Sequence, residues 1–162
     1  MATPTYTLIE TVTLGSSAQS VTFATIDQSF ADLVLVVAGD LGSNGAMVCT
    51  LNSDTASNYR YVFLEAYNYS RNGGANFASG SLRLAQNMNG PGVVVANFLG
   101  YTSYNQKAVI SRSSNAGNSG GYESVGLWAS QWNGGAITNL KVASNGVAFS
   151  AGAVFSIYGI EA

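Results

Sequence analysis

Eight carboxylates, six cationic side chains, one thiol and no histidine are the whole stock of strong acid–base and nucleophilic chemistry in this 162-residue chain. A serine nucleophile needs a base to take its proton, and without histidine the commonest base is missing. Two carboxylates about 5–10 Å apart in a cleft could hydrolyse a glycoside, but no spacing in the sequence pairs them. Asp27, Asp32 and Asp54 read instead as turn and strand-edge residues. Cys49 lies in the strand-like run AMVCTL and reads as a small core hydrophobe; a lone cysteine forms no intrachain disulfide, and with no histidine the usual zinc sets are excluded. Asn52, Asp54 and Asn58 could offer oxygens to calcium, yet the acidic ligand that ends a true calcium loop is missing, and Asx turns account for the same residues. The expectation is a non-enzymatic protein with no catalytic residue, no metal and no cofactor.

Recognition chemistry is better represented. Tyr67, Tyr69, Phe77, Tyr101, Tyr104, Trp128 and Trp132 lie in or beside stretches rich in Gly, Ser and Asn, the mixture in which rigid aromatic contact is combined with adaptable hydrogen bonding. Trp128 and Tyr67 read as core. Trp132, between Gln131 and Asn133 in a turn, reads as an exposed anchor, and Tyr6, Phe77, Tyr101, Tyr104, Trp132 and Tyr158 form the candidate interface set.

The elements that must position these side chains are strands. Tyr6, Leu8, Val12 and Leu14 alternate with threonines; Val21 and Phe23 mark a short strand; Leu33–Ala38 is apolar on both faces and reads as a central strand. Ala46–Leu51 follows, then Tyr59–Tyr67, apolar on both sides and expected to be buried on both. Asn68–Ser79 reads as a long Gly and Asn loop, Gly80–Gln86 as a strand, Asn87–Gly92 as a turn, and the apolar run after it as another strand. Strands at Lys107–Arg112 and Tyr122–Ser130 flank a Ser/Gly/Asn loop at Ser113–Gly121, and a bulge would reconcile Ile137 with Leu140. In Val147–Ile160 the alternation of Phe155 and Ile157 against Ser156 and Tyr158 predicts a closing strand within the sheet. Some ten or eleven short strands without a helix point to an all-β, single-domain, two-sheet antiparallel β-sandwich of the jelly-roll type, spanning 5–162 behind a flexible arm at Met1–Pro4.

Charged residues are only 9% of the chain, so its surface must be built from Ser, Thr, Asn, Gln, Gly and Tyr, as suits a protein covered by partners or exposed on a particle. Net charge is −2, and Arg60, Arg71, Arg83, Lys107, Arg112 and Lys141 are scattered, which reads as solvated strand positions and argues against nucleic-acid binding. The N-terminus lacks the basic and apolar regions of a signal peptide, and no apolar run approaches the roughly 20 residues of a membrane helix. The expectation is a soluble product of a host cytoplasm, with no membrane contact.

Several phrases together resemble a group of small jelly-roll virion structural proteins of tailed marine and cyanobacterial phages. They are LIETVTL at Leu8–Leu14, VTFATIDQSFADLVLV with Phe23, Ile26, Gln28, Phe30, Asp32 and Leu33, LNSDTASNY at Leu51–Tyr59, AITNLKV at Ala136–Val142, and VAFSAGAVFSIYGI at Val147–Ile160. The resemblance covers most of the length in the family's order, and none of the phrases is a catalytic or ligand signature. It implies a decoration or cement protein on the outer capsid surface, a homo-oligomer and in particular a trimer, bridging subunits of the major capsid protein so that avidity stiffens the shell. The alternative it implies is the receptor- or glycan-binding tip of a tail fibre. A chain without a fibre shaft favours the capsid.

Overall fold

Alternating short strands with polar turns produce only sheet here: the computed structural model describes residues 5–40, 45–117 and 123–161, and among these there are twelve strands and no helix. In chain order they are β1 (Tyr6–Thr13), β2 (Ser20–Phe23), β3 (Asp32–Asp40), β4 (Gly45–Leu51), β5 (Tyr59–Tyr67) and β6 (Ser70–Ser79). The second half supplies β7 (Leu82–Met88), β8 (Pro91–Leu99), β9 (Lys107–Asn115), β10 (Ser124–Trp132), β11 (Leu140–Asn145) and β12 (Val154–Ile160). They make an eight-stranded sheet in the order β1-β12-β3-β8-β9-β10-β5-β6 and a four-stranded sheet in the order β2-β11-β4-β7, all pairings antiparallel.

Without the hairpins β5–β6 and β9–β10, the order reduces to β1-β12-β3-β8 against β2-β11-β4-β7. The chain then passes from one sheet to the other at every connection except that between β4 and β7, the double roll-up of a jelly roll. The two hairpins are insertions into this roll. Their four strands extend the large sheet outward from β8, so it is twice as wide as its partner.

Apolar side chains explain why the sheets close on each other. Leu33, Leu35 and Val37 of β3 and Phe155 and Ile157 of β12 point inward with Met47, Cys49 and Leu51 of β4, and all are buried. This cluster continues through Val94, Ala96 and Phe98 of β8 to Trp128 and Trp132 of β10, giving one core. Ring packing sets glycine at several positions, Gly126 and Gly159 among them. At Gly126 a Cβ would fall 2.0 Å from the Trp128 ring, and at Gly159 one would fall 2.2 Å from the Phe30 ring.

β12 lies between β1 and β3, as expected of a closing strand, with Phe155 and Ile157 sealing the core. Elsewhere the structure corrects the reading. The Asn68–Ser79 stretch is largely strand β6, because a tight reversal at Asn68 (φ 45°) and Tyr69 (φ 64°) folds it back along β5. Tyr6, Leu8, Val12 and Leu14 do not share a face: a bulge between Leu8 and Glu10 turns Tyr6 and Leu8 to the outside while Ile9, Val12 and Leu14 pack on the core. No bulge joins Ile137 to Leu140; β11 begins at Leu140, and Ile137 is buried from the preceding loop. β9 continues to Asn115, past the predicted end at Arg112, because Ser113 and Asn115 face inward and are buried. The Met1–Pro4 arm and much of the Gly39–Gly45 turn and of the loop ending at Gly121 lie outside the described residues.

Candidate functional site

The side chains with chemistry are used up locally. Asp27 accepts from the Ser29 amide at 2.9 Å and Asp54 from the Ala56 amide at 2.9 Å, both Asx turns. Asn52 Oδ1 accepts from the backbone and hydroxyl of Thr138 and from the Asn139 amide, while its Nδ2 donates to the Ala136 carbonyl at 2.7 Å. Asn58 Nδ2 donates to Asp54 Oδ2 at 3.0 Å, so the suspected calcium oxygens are tied to the protein itself. Among the described residues no group of three Cys, Asp or Glu could hold a metal. Cys49 is fully buried, and that burial pushes its thiol far above the ordinary range, leaving it protonated and inert.

Glu65 is an exception. It is buried on the inner face of β5, opposite Gly126, with Ser113 on the other side of the same glycine. Its Oε2 accepts from Asn87 Nδ2 at 2.9 Å, while its Oε1 and the Ser113 hydroxyl have no partner among the described residues. Burial raises the Glu65 pKa above the usual carboxylate range, against the opposing effects of the Asn87 hydrogen bond and the Arg83 charge. Among the described residues no second carboxylate stands beside it to form a hydrolytic pair, and its Oε2 is held by Asn87 of β7.

The interface set divides. Trp132 is not an exposed anchor: it is 3% exposed, stacks on Tyr59 with ring centroids 6.2 Å apart, and donates from Nε1 to Asp54 Oδ2 at 2.8 Å. The turn read around it starts one residue later, so its side chain completes the inward alternation of β10. Tyr101 is likewise buried rather than exposed. Its hydroxyl donates to the Asp27 carbonyl and accepts from the Phe30 amide, which binds the loop after β8 to the segment before β3. Lys107 corrects the picture of six solvated cations: it is buried, and its ammonium donates to the carbonyls of Ser103 and Asn105. That same loop holds Tyr104 out at 92% exposure.

Tyr6, Phe77 and Tyr158 belong to something larger, the outer face of the eight-stranded sheet. Residues opposite one another on neighbouring strands share a face. One such row crosses all eight strands as Ala75, Val62, Ala129, Ile110, Asn97, Val34, Tyr158 and Leu8. A second runs Leu64, Leu127, Arg112, Val95, Val36 and Ser156, and a third runs Ala66, Val125, Ser114, Val93, Ala38 and Val154. Among the described residues nothing covers the inserted half of this face: Leu64 is 67% exposed, Val125 62% and Phe77 66%. The expectation that β5 is buried on both sides therefore holds only for its inner side. The exposed apolar side chains of β5, β6, β8, β9 and β10 leave on the order of 700 Å² open to water, above the about 300–600 Å² of the largest patch on a typical monomer.

This face is shallowly sculpted. A hollow of about 540 Å³ opens between Leu64, Arg71, Arg112 and Leu127, and another of about 400 Å³ between Val62, Phe77, Ile110 and Gln131. Val62, Leu64, Ile110, Val125 and Leu127 were absent from the sequence-based set. Their signal was the apolar residues on both faces of Tyr59–Tyr67, which alone cannot tell burial by the chain from burial by another molecule.

No family model and no curated protein matches the chain. Among solved structures, the CspB protease of Clostridium perfringens is similar at 16% identity over 88% of this chain, with a TM-score of 0.18; the chain spans 25% of that protein. A high-affinity mannose-binding lectin of Ralstonia solanacearum is similar at 7% identity over 65% of this chain and 91% of its own, with a TM-score of 0.14.

Proposed function

We propose that this chain is a non-enzymatic structural protein that acts by surface contact, and that it is a virion protein decorating the outer capsid of a tailed phage. The observation that carries the first part is the uncovered apolar outer face of the large sheet, on a molecule whose strongest acid–base groups are spent on turns and packing. A soluble sandwich gains nothing from leucines pointing into water, whereas a protein finished by its partners does. The virion assignment rests on the sequence phrases at Leu8–Leu14, Leu51–Tyr59 and Val147–Ile160, which occupy β1, the loop before β5, and β12. In this reading copies associate, as the trimer implied by the resemblance would, and bridge major capsid subunits so that shell expansion must break two contacts together.

Counting copies in purified particles by quantitative mass spectrometry tests the reading. Hundreds per virion are expected, with added protein restoring heat resistance to depleted particles; absence from virions overturns it. The fibre-tip alternative is favoured by one observation, the aromatic Tyr104 held out on a loop anchored by Lys107. A few copies per virion, with specific saccharide binding lost in Tyr104→Ala, would select it.

A further inference from the structure

We propose that β6 pairs along its free edge with β6 of a second copy, antiparallel about a two-fold axis at Gly74, so that two large sheets join into one. The surface involved is the edge of the sheet, and the inference goes beyond the virion reading without depending on it.

The first observation is that this edge alone is left open. Native sheets blunt their edges with short strands, bulges or charges, because a free row of N–H and C=O groups is a template for another strand. β2 is four residues long, and β1 carries Glu10 and a bulge between Leu8 and Glu10. β7 carries Arg83, is irregular against β4, and packs against β5, β9 and β10. β6 is the longest of the twelve strands at ten residues, is exposed over residues 70–78, and contains no proline, lysine or acid. Arg71 is its one charge, and among the described residues nothing pairs with its far side.

The second is which backbone groups are free. The two-residue reversal at Asn68 and Tyr69 makes the flanking Tyr67 and Ser70 a pair that exchanges both N–H and C=O bonds. By alternation Asn72, Gly74 and Asn76 then bond to β5, while Arg71, Gly73 and Ala75 aim their N–H and C=O groups at the free edge.

The third names the partner. Opposite residues of two strands share a face, so with Gly74 on the axis Gly73 meets Ala75, Asn72 meets Asn76, and Arg71 meets Phe77 of the other copy. Gly73 and Ala75 are both aimed at the edge, as ladder bonds require. The one charge falls opposite a ring rather than opposite itself, and Asn76 keeps its Nδ2 for Asn72 because its Oδ1 accepts from the Ala78 amide. On the inner side Trp128 stacks on Phe63 with ring centroids 6.3 Å apart, and the Phe63 ring overhangs Gly74, where a Cβ would fall 2.9 Å from it. This aromatic row ends in a glycine at the edge, and Phe63 is only half-buried. In the pair the two Gly74 backbones meet on the axis and the two Phe63 rings cover each other above them. On the outer side Leu64 overhangs Gly73 in the same way, 3.2 Å from a Cβ there, and reaches Ala75 of the other copy. Gaps and the side chains that fill them lie on the same two strands, which is the condition for self-matching about a two-fold axis.

The test is mass by sedimentation at tens of micromolar for the wild type and for Ala75→Pro. Proline removes an N–H that points away from β5 and is tolerated on an edge strand, so the variant is expected to keep its circular dichroism. Its mass is expected to be half that of the wild type, whatever other contacts assemble the copies. Should Ala75→Pro fail to fold, Ala75→Lys sets a charge on each side of the axis and is expected to raise the dissociation constant about tenfold or more. A one-copy wild type overturns the proposal, as does a folded Ala75→Pro whose mass is not half, or an affinity that lysine leaves unchanged. A one-copy protein abundant on virions would overturn this inference and leave the capsid reading, whereas an edge-paired protein absent from virions would do the reverse.

Discussion

Trp132 shows how one side chain changes role when its neighbours are placed. Flanked by Gln131 and Asn133 it resembles a surface anchor, but in β10 it stacks on Tyr59 and donates to Asp54. Trp132→Ala is therefore expected to destabilise by about 3–5 kcal/mol, the cost of removing a buried large aromatic. Trp132→Phe keeps the ring contact and should lose about 1–2 kcal/mol with the indole hydrogen bond; urea unfolding of both variants checks this, and near-wild-type stability of the alanine variant would return Trp132 to the surface. Glu65 makes a second prediction. Its pKa is raised in the folded state, so the folded chain holds its proton more tightly than the unfolded one. Its contribution to stability therefore falls as pH rises from the unfolded carboxyl value through the folded one. Glu65→Gln should remove that loss and stabilise the protein at neutral pH, with little gain at pH 4. An equal effect at both pH values would show that the charge is not the cause.

Among the elements, β6 is distinct. It is exposed along almost its whole length, hydrogen-bonds to β5 on one side, and forms an outer edge of the large sheet. Few buried contacts mean low local stability, so its amides are expected to exchange well before those of β3 and β8, which have paired strands on both sides. Hydrogen exchange followed by mass spectrometry reads this directly, and protection of β6 equal to that of β3 in the isolated chain would contradict it. Composition alone predicts a loop here, because Gly73, Gly74 and the asparagines carry little strand preference. What makes it a strand is the reversal at Asn68 and Tyr69, which presents β5 as a template. β1 shows a different failure: its alternation is real, but one inserted residue after Leu8 reverses the phase, and period counting cannot see an insertion.

For the molecule as a whole, the fold is a jelly roll widened by two hairpins, and the hairpins carry most of the exposed apolar side chains of the outer face. The tests of virion copy number and oligomeric mass belong to this scale, since neither reads any single contact. Composition and alternation alone establish the all-β class, the antiparallel sandwich, a closing strand within Val147–Ile160, the burial of Cys49 and Trp128, and the absence of a histidine-based site. These follow from composition and from alternation, which are local and survive in any arrangement of the strands. Which apolar faces are covered is settled by the assembled sheets. Tyr59–Tyr67 and Ser124–Trp132 bear hydrophobic residues on both sides, and whether a side is dry depends on what lies across it. The four-stranded sheet packs against the inner side of the large one, and among the described residues nothing packs on the outer side of the insertions. Which side of a strand meets the second sheet is a property of strand order, set by contacts between residues far apart in the chain.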